Sequence, residues 1–220
     1  LNNDGLVNLV SGCGLVGPPG VDTGTYRYDT NCTLAFFTRP DSERVLEPSV
    51  VLDQVGASFL QLEGSLRVNG SGRTFGNVYI QPAATLFGPA ALHFGGNTHW
   101  RGLIEGASQS ETVTVDSGAL LHTSNNPTDS PLLFKRTLIN NGQIDISEVR
   151  LQLDGNAEIV NNGDLNLVGT PAAAGAIGCA SPPNCGLITN NVAAVIRSNA
   201  VQGGLSTQLE ADIAVVNHGS

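Results

Sequence analysis

The chain has 220 residues, a formal net charge of −9 and only 13% charged residues, with 40% hydrophobic residues. An acidic chain with nine Arg, the single Lys135 and no basic run has no electrostatic reason to bind nucleic acid or an anionic membrane. Recurrent Val, Leu and Ile exclude a disordered chain, and 27 Gly with 20 Asn, lacking any sustained helical periodicity, exclude a helical one.

The chain opens on Leu1-Asn2-Asn3-Asp4-Gly5-Leu6-Val7-Asn8-Leu9, already in mid-pattern, so it is expected to be a processed or excised piece of a longer protein. A first interruption, about residues 11–33, holds Gly17-Pro18-Pro19-Gly20 and Tyr26-Arg27-Tyr28 between Cys13 and Cys32. Arg39-Pro40-Asp41-Ser42-Glu43-Arg44 is expected to be a polar loop or a boundary. Beyond it, short segments alternate apolar and polar residues, as in Leu60-Gln61-Leu62, Val78-Tyr79-Ile80, Val113-Thr114-Val115 and Leu151-Gln152-Leu153. That period of two puts one set of side chains on each face of a strand.

The strongest signal is internal. Ile139-Asn140-Asn141-Gly142-Gln143-Ile144-Asp145-Ile146 recurs 21 residues later as Val160-Asn161-Asn162-Gly163-Asp164-Leu165-Asn166-Leu167. Looser copies occur at the start of the chain, at Asn190-Asn191 and at Val216-Asn217-His218-Gly219. Strands this short close a core only by stacking, and the period is short for a βαβ unit. The pattern therefore predicts an all-β parallel β-helix (β-solenoid) spanning 1–220 as a single domain, with disulfide-tied loop insertions. It predicts Ile144 stacked on Leu165 and Ile146 on Leu167, both inward. The paired Asn are expected to turn left-handed corners and to stack in an amide ladder, with the following Gly supplying positive φ.

The second interruption, about 169–186, carries Cys179 and Cys185. Local pairing predicts two bridges, Cys13–Cys32 and Cys179–Cys185, and hence an oxidising compartment: extracellular, periplasmic or the outer cell surface. Both interruptions follow similar segments, Val7-Asn8-Leu9-Val10 and Leu165-Asn166-Leu167-Val168, so they are expected at equivalent corners of different coils.

The motif Asn-Asn-Gly-x-apolar-x-apolar resembles the β-helical passengers of bacterial autotransporters and filamentous-haemagglutinin-type adhesins, over roughly residues 50–170. The resemblance implies surface exposure and adhesion, with a host-cell, prey-cell or matrix glycan or protein as partner. No nucleophile elbow, P-loop, zinc motif or calcium loop is present, so no catalytic residue, cofactor or metal is expected. Contact residues are expected in the loops: Tyr26 and Tyr28, with Trp100 in His99-Trp100-Arg101. The alternative is a polysaccharide-degrading lyase or hydrolase, which needs paired carboxylates in a groove.

Overall fold

The structure, a computed structural model, describes residues 2–10, 14, 19–38, 42–123, 129, 131–147, 149–169, 175–183, 185–200, 208–209 and 212–218. Every regular element among them is a β-strand, and every strand pairing is parallel.

The chain winds through three faces in turn, about eight times, forming a β-solenoid. The first face starts as a sheet of three strands, Leu6–Leu9, Thr25–Tyr28 and Val51–Gln54. After a break it continues as seven strands from Gly72–Phe75 to Ala214–Asn217. The second face has eight strands from Thr33–Phe36 to Val195–Ala200, and the third has nine from Gly20–Asp22 to Gln208–Leu209. Side chains bridge the break on the first face. Arg73 Nη2 donates to Glu47 O at 3.0 Å, Arg73 Nη1 donates to Val50 O, and Asn77 N donates to Gln54 Oε1 at 3.0 Å.

Alternation decides what is inside. On the second face Leu34, Leu60, Val78, Thr98, Leu121, Ile144 and Leu165 stand in register, and all are buried. Ile144 pairs with Leu165 and Ile146 with Leu167, as the repeat predicts. Coils lengthen without disturbing that stack: Leu60 and Val78 lie 18 residues apart, Leu165 and Ile196 lie 31 apart. The surplus leaves at the corners, where loop length is free of the register.

The amide ladder is present. Asn140 Nδ2 donates to Asn161 Oδ1 at 2.7 Å, Asn161 to Asn190 at 2.7 Å, and Asn190 to Asn217 at 2.9 Å. An outer ladder joins Asn162 to Asn141 at 2.9 Å and Asn191 to Asn162 at 2.6 Å. The backbone expectation is corrected. None of these Asn, nor Gly142 or Gly163, has a positive φ. Gly is needed for closeness instead: a Cβ on Gly142 would lie 2.5 Å from the carbonyl oxygens of Ala119 and Asp116.

Three further expectations are corrected. The Asn-Asn-Asp-Gly copy at the start precedes a strand of the first face, whereas Asn140-Asn141-Gly142 precedes one of the second. The two interruptions therefore follow different faces and are not at equivalent corners. Each also contains ladder strands: Gly20–Asp22 and Thr25–Tyr28 in the first, Ala176–Cys179 in the second. Finally, Glu43 and Arg44 are not loop residues but open the strand Glu43–Leu46.

Candidate functional site

Recognition was expected at three aromatic residues, and the structure places all three in the core. Tyr26 and Tyr28 are 1% exposed, because Thr25-Tyr26-Arg27-Tyr28 is a strand whose second and fourth residues point inward. The Tyr26 hydroxyl accepts from Arg44 Nη2 at 2.8 Å, and its ring meets Phe36 edge-on at 5.6 Å. Burial pushes the Tyr26 hydroxyl pKa up to about 12, and that of Tyr28 higher still. Arg44 and Asp22 form a buried ion pair beside them, with Nε to Oδ2 at 2.5 Å. Trp100 is 0% exposed, its indole N–H donating to Gly102 O at 2.8 Å. None of the three rings is open to a ligand. The sequence carried half of this: both segments alternate, but which phase turns inward is set by the ladder, and here it takes the rings.

Of the two expected bridges, Cys179–Cys185 is formed across a corner loop. The first is not: Cys32 is a free, buried thiol whose Sγ lies 3.5 Å from Leu9 O. It sits at the inward position just before the strand Thr33–Phe36. Cys13 lies outside the described residues.

The same alternation that buries Trp100 turns His99 out. On the second face the outward residues form one row in register: Gln61, Tyr79, His99, His122, Asp145, Asn166 and Arg197. Strand spacing puts successive members ~4.8 Å apart. Tyr79 and His99 stack at 4.2 Å with planes 16° apart, and His99 meets His122 at 3.7 Å. Phe59 borders both Tyr79 and His99, edge-on at 6.4 Å. Further along, Asn166 Nδ2 donates to Asp145 Oδ1 at 2.7 Å, and Arg197 pairs with Asp164 at 2.8 Å.

The Tyr79 and His99 rings cover one face of each other, whereas His122 meets His99 edge-on with planes 65° apart. Burial, then His122 and Arg101, lower the His99 pKa to about 4. Burial also lowers that of His122, against the pull of Asp145. Both imidazoles are therefore neutral at pH 7, each with one donor and one acceptor nitrogen.

A concave site lies elsewhere, at the corner between the third and first faces. Three successive passages turn this corner with residues 88–90, 106–111 and 135–136. The middle passage is longest and bulges out, opening a groove of about 540 Å³ lined by Arg67, Phe87, Gly88, Glu105 and Glu111. The fully buried Arg136 spans the gap beneath, Nη2 donating to Gly88 O at 2.6 Å and Ala90 O at 2.9 Å. Glu111 lies 3.6 Å from that guanidinium and accepts from Ala107 N at 2.8 Å. Burial lowers the Arg136 pKa, with Glu111 opposing. On the rim, Arg67 lies over the Phe87 ring at 4.8 Å and pairs with Glu43 at 3.2 Å.

Among the described residues no group of three or more His, Cys, Asp or Glu is arranged to hold a metal ion. No family model, no curated protein and no solved structure matches the chain.

Proposed function

We propose that the chain is a non-enzymatic rod of an extracellular or cell-surface adhesin or fibre, and that it binds a glycan along its second face. The observation that carries this reading is the outward row Gln61, Tyr79, His99, His122, Asp145, Asn166 and Arg197. It offers phenol, imidazole, carboxylate, amide and guanidinium groups at a constant spacing along the rod axis. A polyhydroxylated chain laid along that axis meets a donor or an acceptor at every step but Asn166, which is 8% exposed beneath its bonds to Asp145 and Arg197. Because neighbouring coils hold the row, little side-chain freedom is lost on binding. The Cys179–Cys185 bridge supports an oxidising compartment.

The test is a glycan array and a cell-attachment assay, comparing the chain with Tyr79→Ala, His122→Ala and Asp145→Ala. Loss of a specific glycan signal in these variants, with melting unchanged, supports the reading. Attachment that survives all three overturns it.

The rival reading, a polysaccharide-degrading enzyme, draws on one observation: Glu105 and Glu111 both line the corner groove. A reducing-end assay and an unsaturated-uronate assay test it. Product that disappears in Glu105→Gln or Glu111→Gln replaces the adhesin reading with an enzyme.

A further inference from the structure

Three Asn-Gly pairs occur among the described residues, Asn69-Gly70, Asn141-Gly142 and Asn162-Gly163, and their surroundings differ. In such a pair the backbone nitrogen of Gly can attack the Asn side-chain carbon. The new C–N bond closes a five-membered succinimide, the Cγ–Nδ2 bond breaks, and ammonia leaves. Water then opens the ring to aspartate or isoaspartate, so no oxidant, reductant or cofactor takes part. The reaction needs an Asn side chain free to swing and a Gly nitrogen free to attack.

Each repeat pair fails one of these conditions, Asn141-Gly142 at the Gly nitrogen and Asn162-Gly163 at the doubly held Asn side chain, although Asn141 and Asn162 are the more exposed. Asn141 Oδ1 accepts from Asn162 at 2.9 Å, and Asn162 Oδ1 accepts from Asn191 at 2.6 Å. The Gly142 N–H donates to Asn140 Oδ1 at 3.2 Å. Gly163 is packed so closely on Gly142 O that it has no room for a Cβ.

Asn69-Gly70 is different. It follows the strand Ser65–Val68, with Ser71 exposed beside it. A single side-chain bond holds Asn69, from Nδ2 to Glu47 Oε1 at 3.1 Å. The Gly70 N–H has no acceptor among the described residues. Gly70 has φ 103°, in the region where only glycine is unstrained.

We propose that Asn69-Gly70 is a site of spontaneous covalent modification, where Asn69 converts to aspartate and isoaspartate while the ladder protects Asn141 and Asn162. The position gives the change a consequence. Asn69 and Glu47 meet at the corner that leads into the break in the first face, where Arg73 also holds Glu47 O at 3.0 Å. Conversion removes the amide donor and sets a second carboxylate against Glu47, and isoaspartate adds a methylene to the backbone. Ageing thus weakens the rod where it already lacks ladder hydrogen bonds.

The test is incubation of the folded chain at pH 8 with peptide mass mapping over time. The amide-to-acid mass gain is expected at Asn69 at least about tenfold faster than at Asn141 or Asn162, which is ~1.4 kcal/mol of barrier. Asn69→Gln, which keeps an amide but disfavours the five-membered ring, should remove the gain at that site. Asn69→Asp should melt below wild type, and Glu47→Gln should restore it. A gain at Asn141 or Asn162 as fast as at Asn69 overturns the proposal. So does unmodified Asn69 in folded protein whose isolated peptide reacts there. An Asn69→Asp variant that melts with wild type overturns the weakening of the break.

Discussion

Asn140 and Asn161, 21 residues apart, are joined by a buried amide hydrogen bond of 2.7 Å, and both side chains are 0% exposed. The repeat in the sequence is thus the trace of a physical contact. Asn140 Oδ1 also accepts from Gly142 N at 3.2 Å, and Nδ2 also reaches Asp164 O at 2.9 Å. One side chain both shapes its own corner and ties it to the next.

The inner ladder should matter far more than the outer one. Asn161→Ala strands amide groups of both Asn140 and Asn190 in the interior, at about 1–3 kcal/mol for each group left unpaired. Asn162→Ala, in the exposed ladder, should cost under about 1 kcal/mol. Chemical denaturation of the two variants measures the difference, and equal costs would deny the buried ladder its role.

Aromatic substitutions separate the core from the proposed binding row. Tyr26→Ala and Trp100→Ala should each destabilise by about 3–5 kcal/mol, since both rings are fully buried. Tyr79→Ala, half-exposed on the second face, should change the melting temperature little while reducing glycan retention. A Tyr26→Ala variant that melts normally would return that ring to the surface.

The Asp22–Arg44 pair should tolerate no half-measures. Asp22→Ala leaves a guanidinium that is 2% exposed without its carboxylate, at about 3–5 kcal/mol. The double change Asp22→Ala with Arg44→Met should recover most of the loss. Denaturant midpoints of the single and double variants decide it.

Acid should loosen the second face. The His99 pKa is about 4 in the folded chain against 6.5 ordinarily, so the unfolded chain binds the proton first as pH falls. Stability is therefore complete above pH 6.5 and declines toward pH 4, by on the order of 1 kcal/mol after solvent screening. His99→Gln should flatten that part of the profile. Thermal melts across the window that are as steep in the variant as in wild type would assign the effect elsewhere.

The cysteines should differ in reactivity. Peptide mapping without reductant should recover Cys179 linked to Cys185, and removing that bridge should cost roughly 2–3 kcal/mol on the chain-entropy estimate. Cys32 should react with a thiol reagent only when denaturant opens the core. Rapid labelling of Cys32 in the native chain would contradict its burial.

The solenoid is legible in local sequence. Alternation in short segments, a repeat at one coil length and paired Asn before Gly are local features. Each maps directly onto a strand, a stacking distance or a corner, so Ile144 over Leu165 was legible beforehand. What it could not supply was phase and reach. Tyr26, Tyr28 and Trp100 are polar enough in name to suggest a surface, yet inside or outside depends on which phase of the pleat faces the core. Coils of unequal length also conceal which outward residues meet. His99 and His122 are 23 residues apart, and Tyr79 and His99 are 20 apart, so no fixed period links them. Only the ladder of backbone hydrogen bonds, which sets register regardless of loop length, brings Tyr79, His99, His122 and Asp145 into one row. The corner groove has the same origin. Its opening depends on one passage being longer than the passages before and after it, a relation between coils that no single stretch of sequence contains.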